Sequence, residues 1–370
     1  MIPAVYQATL SHTNLHVMET MTTVECAECS SYMCRTGSID AAPPSCPMHG
    51  SFPPFSSLYT TDESKRMAYE AALIEAEGYC RWTRLREIVE FARRMRYTRV
   101  GIAHCPDMAR EARLVGESLL QDNLEAVLPP PEHGCSPQAQ AQLFESAGTH
   151  LNVIAGMCAG HDAILIRTSH VPVTTLIVRD SRLRHNPVAA LYTSRSYLRS
   201  VLYDTGRRSM QQPFRGWSTA ALLSAAEQTR ANAGRDWCRI EEIMEFARQL
   251  GAHHLGLTFC VGLRNEAGTL SELLRANGFK VSSACCKTGA VPKETLGIGE
   301  SQKLRPNQPE MICNPLAQAE LLNRAGVELA LIVGQCVGHD SATMARLEAP
   351  VLPVVAKDRV LAHNTVAALY

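Results

Sequence analysis

Fourteen cysteines are the most informative feature of this 370-residue chain, because thiolates are strong ligands of soft metals. Near the N-terminus, Cys26, Cys29, Cys34 and Cys46 follow the spacing C-x2-C-x4-C-x11-C-P. Two cysteines two residues apart bind one metal easily, and a final Cys-Pro pair is typical of ferredoxin-type sites. Structural zinc sites have similar spacings. The spacing therefore predicts a metal site in this segment, with iron–sulfur as the first interpretation and zinc as the alternative.

The chain also contains two copies of one long unit. Both copies have the same motifs in the same order, and both end on Ala-Leu-Tyr. The matching stretches are residues 82–93 with 237–248, 100–105 with 255–260, 135–141 with 313–319, 158–162 with 336–340, and 179–186 with 357–364. Two long repeats indicate duplication of a whole domain, since a solenoid is built from several short ones.

Strands alternate with helices in each copy. Amphipathic helices are predicted at 239–250 and 266–276, and another is predicted to begin near Asn314, since the proline that follows suits a first helical turn. This alternation predicts a parallel sheet that helices cover on both faces. The short apolar runs that predict the strands are 100–103, 124–128, 151–154 and 175–178 in the first copy, and 255–259, 279–284, 329–333 and 352–356 in the second.

Four cysteines of the second copy are expected at one edge of its sheet. Cys260, Cys286 and Cys336 end three predicted strands, and Cys313 opens the helix after the second strand. Ligands of open parallel sheets bind beyond the carboxyl ends of the strands, and helix N-termini favour the thiolate that binds metal. These positions favour a metal or cluster site over buried core cysteines, which can lie anywhere along a strand. The cysteines outside this scheme are interpreted as structural, and they are Cys80, Cys238 and Cys285.

The first copy retains Cys105, Cys135 and Cys158 but has no counterpart of Cys286, because its second strand runs into three prolines. Three cysteines can hold a cluster with one iron open to substrate, and they can equally be the remains of an inactive site. His133 is an alternative fourth ligand, although a turn histidine is the simpler explanation. The second copy is therefore expected to hold the more complete site.

Polar residues follow the strand-end cysteines of the second copy, and four of them are predicted to be catalytic. His339 is expected to donate protons or to orient a ligand, and Lys287 to place a positive charge near an anionic cluster or substrate. Asp340 and Asp358 complete the set. Their alternatives are structural, since Asp340 is in position to cap a helix beginning at Ser341, and Asp358 to fix the closing loop or the contact between the copies.

The composition excludes some function classes. Lys+Arg and Asp+Glu are both 36, so the formal net charge is +0, which argues against broad binding to nucleic acid. No apolar stretch reaches the roughly 18 residues that a membrane span needs. The N-terminus lacks the charged and apolar regions of a signal peptide, so the protein is expected in the cytoplasm. There the thiols stay reduced, which favours metal binding over disulfides.

These observations predict an α/β protein with two tandem doubly wound domains, Rossmann-like or flavodoxin-like, behind a small cysteine-rich segment. The expected divisions are 1–55 for the metal-binding segment, 56–195 for a first repeat with a degenerate site, 196–215 for a basic linker, and 216–370 for the second repeat.

The motifs of the second repeat resemble a known family. The runs at 286–289, 313–319, 335–340 and 357–364 are similar to the cysteine-rich family catalogued as domain of unknown function 1847, and the resemblance extends from Cys26 to Tyr370. Members are described only as proteins thought to bind metal. They usually resemble the N-terminal cysteine group followed by a single α/β domain, whereas this chain has two such domains, the first without the Cys-Lys pair.

The resemblance implies metal binding but no reaction, so three hypotheses follow from the chemistry of the residues. The first is a redox or lyase-type enzyme with an iron–sulfur cluster, in the 4Fe-4S form, at the sheet edge of the second repeat. It would act on a small anionic substrate or with an electron-transfer partner. The second is a non-catalytic metal carrier or sensor. The third is a binding module stabilised by zinc.

Overall fold

Two separate four-stranded parallel sheets form the centres of two α/β domains. The structure, a computed structural model, describes residues 24–49, 53–203, 213–234 and 236–370. Within this part of the chain, no helix combines the length and the apolar character needed to cross a membrane.

The first domain surrounds strands that are buried by helices on both faces. Its strands are β1 (Arg99–Ala103), β2 (Glu125–Val127), β3 (Leu151–Ala155) and β4 (Val173–Ile177), in the order β2-β1-β3-β4. Its helices are α1 (Phe55–Leu58), α2 (Asp62–Glu77), α3 (Arg84–Met95), α4 (Ala109–Gln121), α5 (Pro137–Ser146) and α6 (His161–Thr168). Every residue of β3 and β4 is buried, including the polar Asn152, Thr174 and Thr175, as expected of strands in a sheet that is covered on both faces.

Two short helices, α7 (Val188–Tyr192) and α8 (Arg199–Leu202), lie between the domains in the sequence. Leu198 and Leu202 are fully buried in the core of the second domain, and the Arg195 side chain forms an ion pair with Glu272. This part of the predicted linker is therefore packed against the second domain. Residues 204–212 of the linker lie outside the described ranges.

The second domain repeats the first. Its strands are β5 (His254–Phe259), β6 (Lys280–Cys285), β7 (Leu329–Val333) and β8 (Val351–Val355), in the order β6-β5-β7-β8. Its helices are α9 (Thr219–Ala233), α10 (Arg239–Leu250), α11 (Arg264–Ala276), α12 (Pro315–Arg324) and α13 (His339–Arg346). The predicted fold of two tandem, doubly wound α/β domains is confirmed, and the predicted strands agree with the observed ones to within two residues.

A buried arginine at the start of α3 joins the first domain to the second. The backbone N–H of Arg84 donates to Asp358 Oδ2 (2.7 Å), and its guanidinium donates to Asp340 Oδ2 (2.5 Å) and to the carbonyl oxygen of Gln335 (2.6 Å). The guanidinium also donates to the carbonyl oxygen of Thr175 in its own domain (3.0 Å). Arg84 therefore links the loops that follow β7 and β8 to the first sheet.

An equivalent arginine of the second domain makes the same contacts with the first domain. At the start of α10, the backbone N–H of Arg239 donates to Asp180 Oδ2 (2.8 Å), and its guanidinium donates to Asp162 and to the carbonyl oxygen of Pro353 (3.1 Å). Reciprocal contacts of this kind are what an approximate two-fold axis produces. The helices α3 and α10 therefore each begin at the sheet edge of the other repeat.

The N-terminal cysteine segment lies against the outer edge of the second sheet. Its chain pairs in parallel with β6 around Ser283, whose backbone N–H donates to the carbonyl oxygen of Val24 (2.6 Å). The Ser283 hydroxyl accepts from the backbone N–H of Ala27 (2.8 Å), and Arg275 forms an ion pair with Glu28 (2.8 Å). The segment therefore continues the second sheet beyond its edge strand.

Candidate metal centres

The second domain brings its four predicted thiols together at the carboxyl edge of the sheet. Cys260, Cys286 and Cys336 follow β5, β6 and β7, Cys313 precedes α12, and all four are buried. The sulfur atoms of Cys286 and Cys313 are 3.7 Å apart. The Nζ atom of Lys357 lies 2.8 Å from the sulfur of Cys260 and 3.3 Å from that of Cys336, so its ammonium group can donate a hydrogen bond to each of these two thiols.

Local backbone structure holds these thiols in place. Backbone N–H groups of the turn after β5 donate to sulfur, from Val261 to Cys286 (3.2 Å) and from Gly262 to Cys260 (3.4 Å). Asn314 caps α12, and its own backbone N–H donates to the carbonyl oxygen of Cys286 (2.7 Å). N–H groups directed at sulfur stabilise the thiolate, which is the form that binds metal.

Positive charge surrounds the thiol of Cys336. An Nη atom of Arg359 lies 3.2 Å from its sulfur, and Lys357 lies on another side. Hydrogen bonds from the Cys260 and Cys313 thiols, together with these two cations, hold the pKa of Cys336 well below its ordinary value. Both cations belong to the Lys-Asp-Arg motif after β8. The motif was visible in the sequence, but its lysine and arginine were not predicted as site residues.

Two glutamates of the first domain complete this centre. Glu75, on α2, lies 2.8 Å from Arg359 and within 3.9 Å of the Cys313 and Cys336 sulfurs, and Glu87, on α3, lies 3.0 Å from Arg359. Neither residue was predicted, because the contact depends on how the two domains pack. The second centre is therefore closed by helices of the other repeat.

His339 lies at this centre, as does Lys287. Burial would lower the pKa of His339, but hydrogen bonds to the thiols of Cys313 and Cys336 raise it to about 10. Neither ring nitrogen has an oxygen or nitrogen partner within the described part of the chain. Lys287 donates to the carbonyl oxygen of Met311 (2.7 Å), and the nearby thiols raise its pKa.

The other two predicted catalytic residues are engaged in the domain interface. Asp340 Oδ2 accepts from the guanidinium of Arg84 and from the hydroxyl of Thr174 (2.7 Å). Asp358 accepts from backbone N–H groups of Arg84, Val360 and Leu361. These contacts favour the structural interpretation of both carboxylates. Asp340 lies within the first turn of α13, and the capping position belongs to Gly338.

The first domain contains a compact group of ligand atoms. Cys105, Cys135, Cys158 and His161 each offer one ligand atom, and these atoms all lie within 4.8 Å of one another. The Cys105 and Cys158 sulfurs are 3.3 Å apart. The histidine of this group is His161, the counterpart of His339, whereas the sequence had suggested His133. This cysteine cluster can bind a metal, since a tetrahedral zinc ion, for example, holds its sulfur ligands about 3.8 Å apart.

A cavity of about 350 Å³ opens onto this first centre. Its walls include Cys135, which is partly exposed, two arginines and two carboxylates, namely Arg179, Arg230, Asp107 and Glu242. Arg179 forms ion pairs with Asp107 (3.2 Å) and with Glu242 (3.5 Å). Hydrogen bonds from the other two thiols, followed by the charges of both arginines, lower the pKa of Cys135 to about 3. The copy predicted to be degenerate is thus an open thiol site.

The N-terminal cysteines line a second cavity, of about 260 Å³. Cys26, Cys29, Cys34 and Cys46 all contribute to its wall, and so does Cys285 from the end of β6. Burial raises the pKa of Cys26 to about 12, and the neighbouring charges of Cys46 and Cys29 add to the shift. The sequence had assigned Cys285 a structural role, because its contact with a segment some 240 residues earlier leaves no local signal.

These three groups fit a soft metal by their chemistry. Thiolates are ligands for zinc and iron–sulfur clusters. Among the described residues, the buried His161 Nδ1 and both ring nitrogens of His339 have no oxygen or nitrogen hydrogen-bond partner. A buried unsatisfied nitrogen beside thiols is the pattern expected of a metal site. The protein is therefore an α/β protein of two tandem domains with thiol-rich centres at its sheet edges.

The chain belongs to the family described as "Protein of unknown function (DUF1847)", whose model matches residues 51–128, 120–176 and 203–353. It is 41% identical over 132 residues to "Uncharacterized protein MJ0455" of Methanocaldococcus jannaschii, a match that spans 36% of this chain and 66% of that protein.

Solved structures with a detectable likeness are distant. The crystal structure of Dph2 from Pyrococcus horikoshii with a 4Fe-4S cluster covers 78% of this chain and 92% of its own, at 13% identity and a TM-score of 0.25. That of PH1733, an aspartate racemase homologue from Pyrococcus horikoshii OT3, covers 74% and 99% at 13% identity and a TM-score of 0.18. At these scores, neither structure bears on the centres of this chain.

Proposed function

We propose that this protein is a cysteine-ligated metalloprotein that carries iron–sulfur clusters, with one centre at the sheet edge of each domain. The observation that carries the proposal is the convergence of Cys105, Cys135, Cys158 and His161 within 4.8 Å. Two of these residues follow strands and two lie at helix starts. The three thiols would repel one another as thiolates at such distances unless a cation lay between them. The second domain supports the same proposal with four buried cysteines at the corresponding edge of its sheet.

The two domain centres would differ in access. The second centre is buried, and Glu75, Lys357 and Arg359 enclose it. The first centre has three cysteines and adjoins the 350 Å³ cavity, so a small molecule could reach a metal there. A redox or lyase-type reaction on a small anionic substrate would therefore take place at the first centre, whereas the second would serve as an enclosed electron-transfer or structural site. This assignment reverses the order of completeness that the sequence suggested.

In this scheme, iron–sulfur clusters would supply redox or Lewis-acid chemistry, and the protein would supply positioning and charge. Lys357 and Arg359 would neutralise the thiolates of the second centre. His339 would hold a proton beside sulfur, and His161 would act as a ligand.

Zinc is the second candidate metal, and the compactness of the first group favours it. Ligand atoms within 4.8 Å of one another suit a single tetrahedral ion as well as they suit a cluster. The protein would then be a zinc-stabilised binding module or metal carrier.

Anaerobic purification tests these alternatives. The expected protein is brown, with iron and acid-labile sulfide in similar amounts and broad visible absorption that dithionite bleaches. Colourless protein with stoichiometric zinc would replace the iron–sulfur proposal by the zinc one.

Replacing single cysteines with serine then shows how much of the bound metal belongs to each centre. Cys158→Ser is expected to remove metal from the first centre and Cys336→Ser from the second, each leaving the rest in place. Cys80→Ser is the matched control, because Cys80 is exposed and adjoins none of the three groups. Equal metal content in Cys158→Ser, Cys336→Ser and the parent would contradict metal binding at the sheet edges.

A further inference from the structure

The thiol of Cys285 lies between two groups of cysteines. It lines the N-terminal cavity together with Cys26, Cys29, Cys34 and Cys46. Burial is the main reason that its pKa is raised, and hydrogen bonds with the thiols of Cys34 and Cys286 shift it in opposite directions. Its chain neighbour Cys286 belongs to the second-domain centre, where its sulfur lies 3.7 Å from that of Cys313. Consecutive residues at the end of β6 thus take part in two thiol groups.

From this geometry we propose that Cys285 is a fifth thiol ligand of the N-terminal centre, which is then shared between the cysteine segment and the second domain. The inference rests on the proposed metal binding. The ligand would be a thiophilic metal, either an iron–sulfur cluster or zinc, because five cysteines line this cavity. The two carboxylates in its wall, Glu25 and Glu28, form ion pairs with Arg275.

The docking of the N-terminal segment supports a shared centre. Contacts outside the cavity also hold the segment, among them the Ser283 pairing with Val24, the edge-on packing of Tyr32 against Phe259, and the hydrogen bond from the Gly289 backbone N–H to the sulfur of Met48 (3.0 Å). The segment consists of short 3-10 turns with few buried apolar side chains, so it can gain little stability from a core of its own. A metal bound to both partners would fasten the segment to β6 and complete the centre in the same step.

The shared ligand would also place two metals side by side. Because Cys285 and Cys286 are joined by one peptide bond, the N-terminal centre and the second-domain centre would be direct neighbours. A displacement of the strand end at one centre would then shift a ligand of the other, because the end of β6 carries a ligand of each.

Metal analysis of full-length variants, purified without oxygen, tests the proposal. Cys29→Ser defines the metal that belongs to the N-terminal centre, and Cys336→Ser the metal of the second domain. Cys285→Ser is expected to lose the N-terminal metal to the same extent as Cys29→Ser, while the second-domain metal stays. Ser30→Ala is the matched control, since Ser30 is an exposed residue that lines the same cavity without a thiol, and this variant should keep its metal.

Limited proteolysis gives a second, independent measurement. With metal bound, residues 24–49 should resist cleavage, and chelator or Cys285→Ser should speed their cleavage at least several-fold. Cys285→Ala replaces the serine variant if a buried hydroxyl prevents folding. Full N-terminal metal and unchanged protection in the Cys285 variants would overturn the shared centre, provided that Cys29→Ser loses metal. If Cys29→Ser loses none, the N-terminal metal site itself is absent, and the shared centre falls with it.

Discussion

Glu75 and Arg230 occupy the same position in the two repeats and carry opposite charges. Each lies nine residues before the buried arginine of its own repeat, Arg84 or Arg239, and each reaches the centre of the other domain. The repeats differ at a second position near the centres, where Arg359 of the second repeat corresponds to Ser181 of the first. The two centres therefore differ in charge. In the second domain, Arg359 is paired with glutamates of the other repeat, whereas in the first domain Arg230 lines an open cavity.

The first prediction concerns the charge of Arg230. Reversing it with Arg230→Glu should slow the alkylation of Cys135 by anionic iodoacetate about threefold to tenfold relative to alkylation by neutral iodoacetamide, because a nearby charge attracts or repels a charged reagent. The ratio of the two rates is measured by peptide mass spectrometry on chelator-treated protein. Both rates are taken on the Cys80→Ser background.

Arg113→Glu is the control for this comparison, since it makes the same charge change at an exposed position of α4 that does not line the cavity. An equal effect of both variants on the ratio would show that the net charge of the protein, and not Arg230, attracts the anion.

The second prediction concerns the reciprocal arginines. Arg84→Met and Arg239→Met should each lower the free energy of unfolding by about 3–5 kcal/mol, because each leaves a buried aspartate without its cation. Urea unfolding measures the loss. Arg86→Met, which removes partly exposed ion pairs on the same helix as Arg84, should cost less than about 1 kcal/mol. A large loss for one buried arginine and none for the other would contradict the two-fold relation.

The third prediction concerns a glycine at the start of α13. Gly338 has a φ of +82°, and a Cβ atom there would lie 2.5 Å from the ring of Phe91 in the other domain. Gly338→Ala should therefore combine backbone strain with a steric clash and destabilise the protein by more than about 2 kcal/mol.

Gly278→Ala separates these two contributions, because Gly278 has a similar φ of +87° and a Cβ atom there would meet no described atom within 4 Å. The difference between the two melting temperatures then measures the clash alone. Equal effects would mean that Phe91 moves aside freely, and that the domain interface is looser than its buried arginines indicate.

The sequence predicted the features that depend on neighbouring residues and missed those that depend on contacts between segments far apart in the chain. The strands and the helix at 239–250 were predicted closely because hydrophobic patterns and proline are local signals. The strand-end cysteines followed from the general position of ligands in parallel sheets. Glu75, Arg230 and Cys285 were missed as site residues, because each reaches a centre through packing between distant segments. Asp340 was assigned to chemistry for the same reason, since its partner Arg84 lies in the other repeat.

The last prediction is a pH dependence that comes from His254 at the start of β5. Burial chiefly, and then the charge of Lys280, lower the pKa of His254, whose Nε2 lies 2.9 Å from the hydroxyl of Ser282. The unfolded chain therefore binds a proton near pH 6.5 that the folded protein does not bind until a lower pH. Stability should fall as the pH drops below about 6.5, by at most about 1.4 kcal/mol per pH unit for this one group. His254→Gln should therefore flatten the slope between about pH 6.5 and 5 in urea unfolding. A slope that stays the same in His254→Gln would show that this histidine titrates alike in the folded and unfolded protein.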